Sequence, residues 1–299
     1  MPENLFKINV KEYILPGTRA CQGCGLSLAY RHALKALREN TIVTLPASCL
    51  CVLHGLYPST PVAVPCLNNS FAATAASAAG IAAGLQALNK TDLTVLAIAG
   101  DGGTFDMGIQ ALSGAAERET DFIYCCYDNE GYMNTGTQRS SATPLGALTT
   151  TTPIATKQQH KKDFIKIMEA HEIPYIATCS PAYPIDLYDK FVKAKKIKGT
   201  RYIHINVPCP PGWGYPPRDT VRMGRLAVET AVFPLFEIED GKFRFTSRSK
   251  TMAERGNKLP VINYLERQGR FRRMNIEQLR QFQAWVDKKW QEYLRRSQE

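Results

Sequence analysis

Two groups of residues in this chain have types and spacings that could do chemistry. The first is Gly100, Asp101, Gly102 and Gly103, followed somewhat under thirty residues later by Asp128 and Asn129. A carboxylate oxygen from Asp101 and an amide oxygen from Asn129 are hard ligands, suited to a Mg2+ ion that also holds two phosphate oxygens. The glycines let backbone N–H groups approach a phosphate closely, and a helix starting beside them would add partial positive charge. Together these features suit a diphosphate. Alone, the G-D-G is also what a turn with a capping aspartate looks like.

The second group is cysteine. The chain has nine, an odd count in a sequence without an export signal, so metal or cluster ligation is a better reading than a disulfide framework. Cys125 and Cys126 lie in the apolar run FIYCCY and Cys179 ends another, as buried hydrophobes do. Cys21 and Cys24 form a CxxC in a Gly-rich loop, Cys49 follows the strand expected at 41–45, and Cys209 follows the strand expected at 202–207. These four loop cysteines can converge. Zinc ribbons usually bring two CxxC pairs, whereas here one pair joins two isolated cysteines, which favours a 4Fe-4S cluster and leaves zinc open. A thioredoxin-like CxxC fits less well, because no matching strand precedes the pair. Cys51 competes with Cys49 as a ligand, and spacing favours Cys49.

The elements that must position these residues follow from periodicity. Apolar runs at 95–99 and 122–127, separated by a helix over 106–118, read as one βαβ unit with both strand ends at the same sheet edge. That edge is where open α/β sheets bind ligands. A helix over 26–39, a strand over 41–45, helices over 163–170 and 185–197, and strands over 175–179 and 202–207 continue the alternation. The fold class expected is α/β, a doubly wound, mainly parallel sheet. The Ala- and Gly-rich stretch 70–88 reads as a long helix whose Gly80 and Gly84 allow close packing against neighbouring backbone. The polar loop 136–162 exceeds an idle connection, and reads as a cover over the site or a partner contact. Past Cys209 come a helix over 218–230, a hairpin across Asp240-Gly241 and a basic tail ending in a helix over 276–296. The domains expected are 1–215, carrying the site, and 216–299, a hairpin and helical arm contacting partner subunits.

With 299 residues, 44% hydrophobic and 21% charged, the chain can bury an ample core. No uncharged apolar run is long enough to span a bilayer and the first twenty residues lack an apolar leader segment, so a cytoplasmic protein without membrane contact is expected. The net charge of +10 is spread and carries no nucleic-acid motif. It suits steering of an acidic redox partner rather than nucleic acid.

The G-D-G followed by an Asn in a polar turn resembles the diphosphate-binding motif of thiamine diphosphate (TPP) enzymes. That resemblance adds the backbone carbonyl of Gly131 to Asp101 and Asn129 around Mg2+. RACQGCG, a cysteine in a post-strand loop, AGDGGTFDMGIQALSGAAER, YDNEGYMNTGTQRSSATP and VPCPPGWGYPP together resemble the β subunit of the pyruvate:ferredoxin oxidoreductase family, the 2-oxoacid:ferredoxin oxidoreductases. The likeness runs from about Pro16 to Leu294. It implies a 4Fe-4S cluster on Cys21, Cys24, Cys49 and Cys209, a diphosphate cradle at Gly100, Gly102 and Gly103, and a polar pair near the reacting centre, Asn134 and Thr135. By residue type alone Asn134 reads as a turn residue. The chain departs from the family's pattern at Leu50, Cys51, Cys66, Asn68 and Asn69, which implies an altered cofactor-facing loop bordering the substrate side.

What the resemblance implies is oxidative decarboxylation of a 2-oxoacid, pyruvate first, to the acyl-coenzyme A and CO2 with electrons passed to ferredoxin. Oxalate, an aryl-glyoxylate or another 2-oxoacid is the alternative substrate, and a non-redox TPP-dependent decarboxylase or carboligase subunit the alternative activity. A zinc-stabilised basic binding protein is the third class. TPP enzymes bind the aminopyrimidine on a second α/β domain that supplies a glutamate, and this chain has room for one such domain. The expected partners are therefore a subunit bringing that domain, a subunit with ferredoxin-type clusters, ferredoxin and coenzyme A.

Overall fold

Along β3 (Thr94–Gly100) the side chains alternate between two hydrophobic clusters, with Val95, Ala97 and Ala99 in one and Leu96 and Ile98 in the other. A strand apolar on both faces requires cover on both, which is why the chain winds helices over either side of the sheet. This computed structural model describes residues 8–90 and 92–298. Residues 1–7, part of the stretch read for a leader, lie outside the described residues.

The sheet has eight strands. In chain order they are β1 (Thr41–Pro46), β2 (Cys66–Asn69), β3, β4 (Phe122–Asp128), β5 (Tyr175–Cys179), β6 (Thr200–Asn206), β7 (Phe236–Glu239) and β8 (Lys242–Phe245). The spatial order is β2-β1-β3-β4-β6-β5-β7-β8; the first six strands are parallel and the hairpin β7–β8 is added antiparallel along β5. The doubly wound, mainly parallel α/β sheet read from the sequence is therefore what forms. Helices Gly25–Leu37 and Pro184–Lys196 pack together over one face, and Thr74–Ala87 and Ile109–Glu117 over the other.

Register fixes where the chemistry-bearing residues go. Gly100 lies opposite Tyr127 and Asp128 opposite Asn206, so β3, β4 and β6 end level with one another. Asp101, Asn129 and Cys209 follow those ends, and Cys49 follows the end of β1. All four positions thus share one rim of the sheet.

Four local expectations need correction. The helix read over 106–118 is a single π-helical turn, Gly102–Asp106, followed by a helix over Ile109–Glu117. Gly108 separates them because the chain there presses onto the Gly103 carbonyl, where a Cβ does not fit. Gly80 and Gly84 do not meet backbone in this chain: a Cβ on either would point into open space. The segment after Cys49, read as loop, is a short helix, Cys49–His54, with Cys49 at its start. Cys66–Asn69, read as an altered cofactor-facing loop, is the edge strand β2.

Residues 216–299 build onto the same sheet and core as the rest. The terminal helix Ile276–Arg296 begins with a reciprocal cap between Asn275 and Gln278, and buries Phe282, Val286, Trp290 and Tyr293 in this chain's own cluster. Lys289 pairs with Asp163 and Arg296 with Glu169, which ties the helix to the segment just after the polar loop. Among the described residues no helix is long and apolar enough to cross a membrane.

Candidate cofactor site

Asp101 follows β3 directly and is fully buried. Burial pushes its carboxyl well above the usual carboxylate range, and the charges of Asp128 and Glu130 add to that. A nearby cation, or hydrogen bonds to the charged form, favours ionisation of such a carboxylate. Ser140 Oγ donates to its Oδ2 at 2.5 Å, leaving Oδ1 facing the Asn129 amide.

That amide can face Asp101 in two ways. With its NH2 inward it donates to Asp101 Oδ1 at 3.0 Å and to the Gly131 carbonyl at 2.9 Å. With its oxygen inward, three oxygens from Asp101, Asn129 and Gly131 converge at those same separations. An octahedron with metal–oxygen bonds of about 2.1 Å has edges of about 3.0 Å, which both separations from the Asn129 oxygen match.

Glu130 makes this convergence possible. Its φ of +66° is a left-handed conformation costly for a side chain with a Cβ, and it aims the Asn129 side chain and the Gly131 carbonyl to the same side. Every polar group of Glu130 is tied. Its N–H donates to Asp128 Oδ1 at 2.9 Å, its carbonyl accepts from Thr143 Oγ1 at 2.8 Å, and its carboxylate pairs with Lys161 at 3.0 Å and Arg270 at 2.6 Å. Asp128 is also held by Lys161 and His204; burial alone would raise its carboxyl, but the Lys161 charge and the hydrogen bonds from both side chains outweigh that and bring it to about 2. The polar loop 136–162 is thus a packed support beneath the turn: it supplies Ser140, Thr143 and Lys161, while Tyr132, Ser141 and the Ser141 N–H hold Asp106.

The cradle glycines are close-packed. A Cβ on Gly102 would come 2.6 Å from the Tyr132 ring, and one on Gly100 3.1 Å from the Tyr127 ring, whereas Gly103 has ordinary space.

The four loop cysteines come together. Cys21, Cys24, Cys49 and Cys209 line one cavity of about 70 Å³ with Arg19, Asn129 and Asn134; Cys51 does not line it. Gly25 docks the first loop onto the last, its N–H donating to the Pro208 carbonyl at 3.2 Å, where a Cβ would lie 2.7 Å from that oxygen. Burial, reinforced by the neighbouring thiols, pushes Cys49 and Cys209 up to about 12 and raises Cys24 as well. Thiols so desolvated stay protonated unless a metal or another positive charge stabilises the thiolate. A single tetrahedral zinc with Zn–S bonds of about 2.3 Å needs sulfurs about 3.8 Å apart. Among the described residues no three Cys, His, Asp or Glu side chains gather around one ion in that way.

Asn134 sits on the exposed rim of the same cavity, while the Thr135 hydroxyl donates to Gln138 Oε1 at 2.6 Å. Cys66 lies apart on the β2 edge and bonds the Val64 carbonyl. The residues that sequence reading missed are Ser140, Thr143, Lys161, His204, Trp213 and Arg270, none of which carries a local signal of its role.

A parallel sheet carrying this turn at its rim defines a TPP-binding α/β domain, and residues 49–205 match the family described as thiamine pyrophosphate enzyme, C-terminal TPP binding domain. The pyruvate synthase subunit PorB of Methanothermobacter thermautotrophicus is 47% identical over 290 residues, covering 96% of this chain and 99% of that protein. The ketoisovalerate oxidoreductase subunit VorB of Pyrococcus horikoshii is 44% identical over 303 residues, covering 97% and 96%. A 2-oxoglutarate:ferredoxin oxidoreductase from Magnetococcus marinus shares the fold, with a TM-score of 0.55 over 65% of each chain at 22% identity. The chain belongs to the β subunits of the 2-oxoacid:ferredoxin oxidoreductases.

Proposed function

We propose that this β subunit serves oxidative decarboxylation of pyruvate to acetyl-coenzyme A and CO2, with electrons passed through a 4Fe-4S cluster on Cys21, Cys24, Cys49 and Cys209 to ferredoxin. The observation that carries this reading is the single cavity shared by those cysteines with Asn129 and Asn134, next to the turn of Asp101 and Gly131. When bound, TPP supplies the electron sink that lets CO2 leave a 2-oxoacid, and the cluster supplies a one-electron acceptor.

The chain's own residues do the positioning. Asp101, Asn129 and the Gly131 carbonyl hold Mg2+, and through it the diphosphate, against backbone at Gly100, Gly102 and Gly103. A cavity of about 70 Å³ lined by four cysteines, only one pair of them a CxxC, supports a cluster over zinc. Asn134 offers its amide on the open rim, where a substrate carbonyl or carboxylate can be oriented, and Thr135 is engaged by Gln138 behind it. The aminopyrimidine-activating glutamate comes from a partner subunit, because the described residues form a single sheet. Exposed Val221, Ile262 and Ile276 support partner contacts for residues 216–299. Coenzyme A and a subunit with further clusters complete the reaction, and a cytoplasmic setting suits the unpaired thiols.

The test is a panel of 2-oxoacids on the anaerobically purified complex, following reduction of a low-potential dye with and without coenzyme A, beside assays of iron, sulfide, zinc and TPP. Pyruvate oxidation with iron and sulfide present is the expected result. Activity restricted to a branched 2-oxoacid, the reading favoured by likeness to VorB, would replace pyruvate, and iron near zero would remove the cluster. The isolated chain should show no turnover; measurable oxidation by it alone would overturn the shared-site reading.

Ser140→Ala is expected to weaken Mg2+-dependent TPP binding by about 10- to 100-fold, as loss of a hydrogen bond to a metal ligand does. Calorimetric titration of the complex checks this, and unchanged affinity would show that Ser140 does not orient Asp101.

A further inference from the structure

One residue from far along the chain joins the two halves of the site. Arg270 is buried, and its Nη2 donates to the Glu130 carboxylate at 2.6 Å. Its guanidinium also lies 4.1 Å above the centre of the Trp213 ring. Trp213 ends the short helix Pro210–Trp213 that follows Cys209, and its Nε1 donates to the Asn129 carbonyl at 2.7 Å. The backbones are locked as well. The Gly269 N–H donates to the Gly214 carbonyl at 3.0 Å, and a Cβ on Gly214 would lie 3.1 Å from Gly269 Cα.

The turn carrying Cys209 therefore cannot shift without moving Trp213, and Trp213 is fastened to both Asn129 and, through Arg270, Glu130. Glu130 is also the strained point of the metal turn, at φ +66°. A cation held between Asn129 and Gly131 favours that conformation. Without one, relaxation of the turn is opposed by the ion pairs and hydrogen bonds of Glu130 and by the Trp213 bond to the Asn129 carbonyl.

We propose that Trp213 and Arg270 couple the two cofactor loops, so that filling the diphosphate–metal site slows loss of the cluster from the Cys209 turn, and an intact cluster in return tightens diphosphate binding. The reciprocity is required of any such coupling, and the element both sites bias is the Glu130 turn. This rests on the cofactor assignment proposed above. Trp213 and Arg270 are positioning residues in this scheme and touch neither substrate nor reacting atoms.

The experiment follows, in the anaerobic complex, the part of the visible absorbance bleached by an iron chelator that a Cys209→Ser complex lacks, with and without TPP and Mg2+. In the wild-type complex the cofactor should slow bleaching about fivefold or more. Trp213→Phe, which keeps an aromatic ring but loses the N–H donor, and Arg270→Lys, which keeps the charge but loses the flat fork, should reduce that protection to less than about twofold. Iron content before bleaching and TPP affinity by calorimetry are measured on each variant. A merely structural role would speed bleaching equally with and without cofactor, and an unchanged ratio in both variants overturns the coupling. So does absence of protection in the wild type. A wild-type complex without iron overturns the cluster assignment itself, and shows in the iron assay before any variant is compared.

Discussion

Exchanging Asp101 for asparagine is expected to abolish the stabilisation of the complex by TPP and Mg2+ without lowering the stability of the metal-free protein. In the wild type, cofactor at a hundredfold excess over its dissociation constant adds about 2.7 kcal/mol to the folded state. In the variant that increment should vanish, because the charged ligand is gone; the loss of affinity should exceed the roughly 10- to 100-fold that follows removal of an outer hydrogen-bond partner. The metal-free half of the result separates a ligand from a structural residue. Asp101 is fully buried, with burial and the neighbouring acids opposing its ionisation, so a neutral amide of the same shape removes a cost rather than a support. Ser140 can still donate to the amide oxygen. Thermal unfolding at several cofactor concentrations checks both halves. A variant that keeps the cofactor-dependent shift would show that Asp101 does not hold the metal.

The second large effect concerns the thiols. Cys209→Ser should lower the iron and acid-labile sulfide of the complex by the four iron and four sulfide of one cluster and reduce turnover to background, while TPP binding persists at weakened affinity. Cys51→Ser is the matched comparison, since Cys51 lies two residues after Cys49 on the helix Cys49–His54 but outside the cavity lining. It should leave iron content unchanged. The opposite pattern, with iron lost from the Cys51 variant and kept in the Cys209 variant, would reassign the quartet.

The parts of this site that the sequence made legible are those built from local pattern. A strand ending on glycines, a helix and a second strand ending on Asn129 lie within one βαβ unit, and the alternation of apolar runs locates the ends of β1, β3, β4 and β6. The cysteines could be sorted because strand interiors and post-strand loops differ in composition. The hairpin β7–β8 was legible through Asp240-Gly241, where both residues take positive φ.

What was not legible is either long-range or atypical in composition. Ser140 reaches Asp101 from thirty-nine positions away, and Arg270 reaches Glu130 from one hundred and forty; neither separation leaves a periodic trace. Strand β2 reads Cys-Leu-Asn-Asn, without the β-branched residues that mark strands, and forms because β1 offers it a free edge. That Gly80 and Gly84 meet no backbone of this chain was not legible, because small residues on a helix look alike whether they admit a neighbour or face outward. The polar loop 136–162 was recognised as too long to be idle, but its inward-turned hydroxyls and lysines could not be told from solvated ones.

The cysteine quartet is not symmetrically enclosed. Cys21 is exposed while Cys24, Cys49 and Cys209 are half-buried, so small oxidants and alkylating reagents dissolved in water arrive at one corner first. Damage by air should therefore have a fixed order, starting at the Cys21 sulfur and working inward. A partner that shields this corner alone would protect the whole quartet.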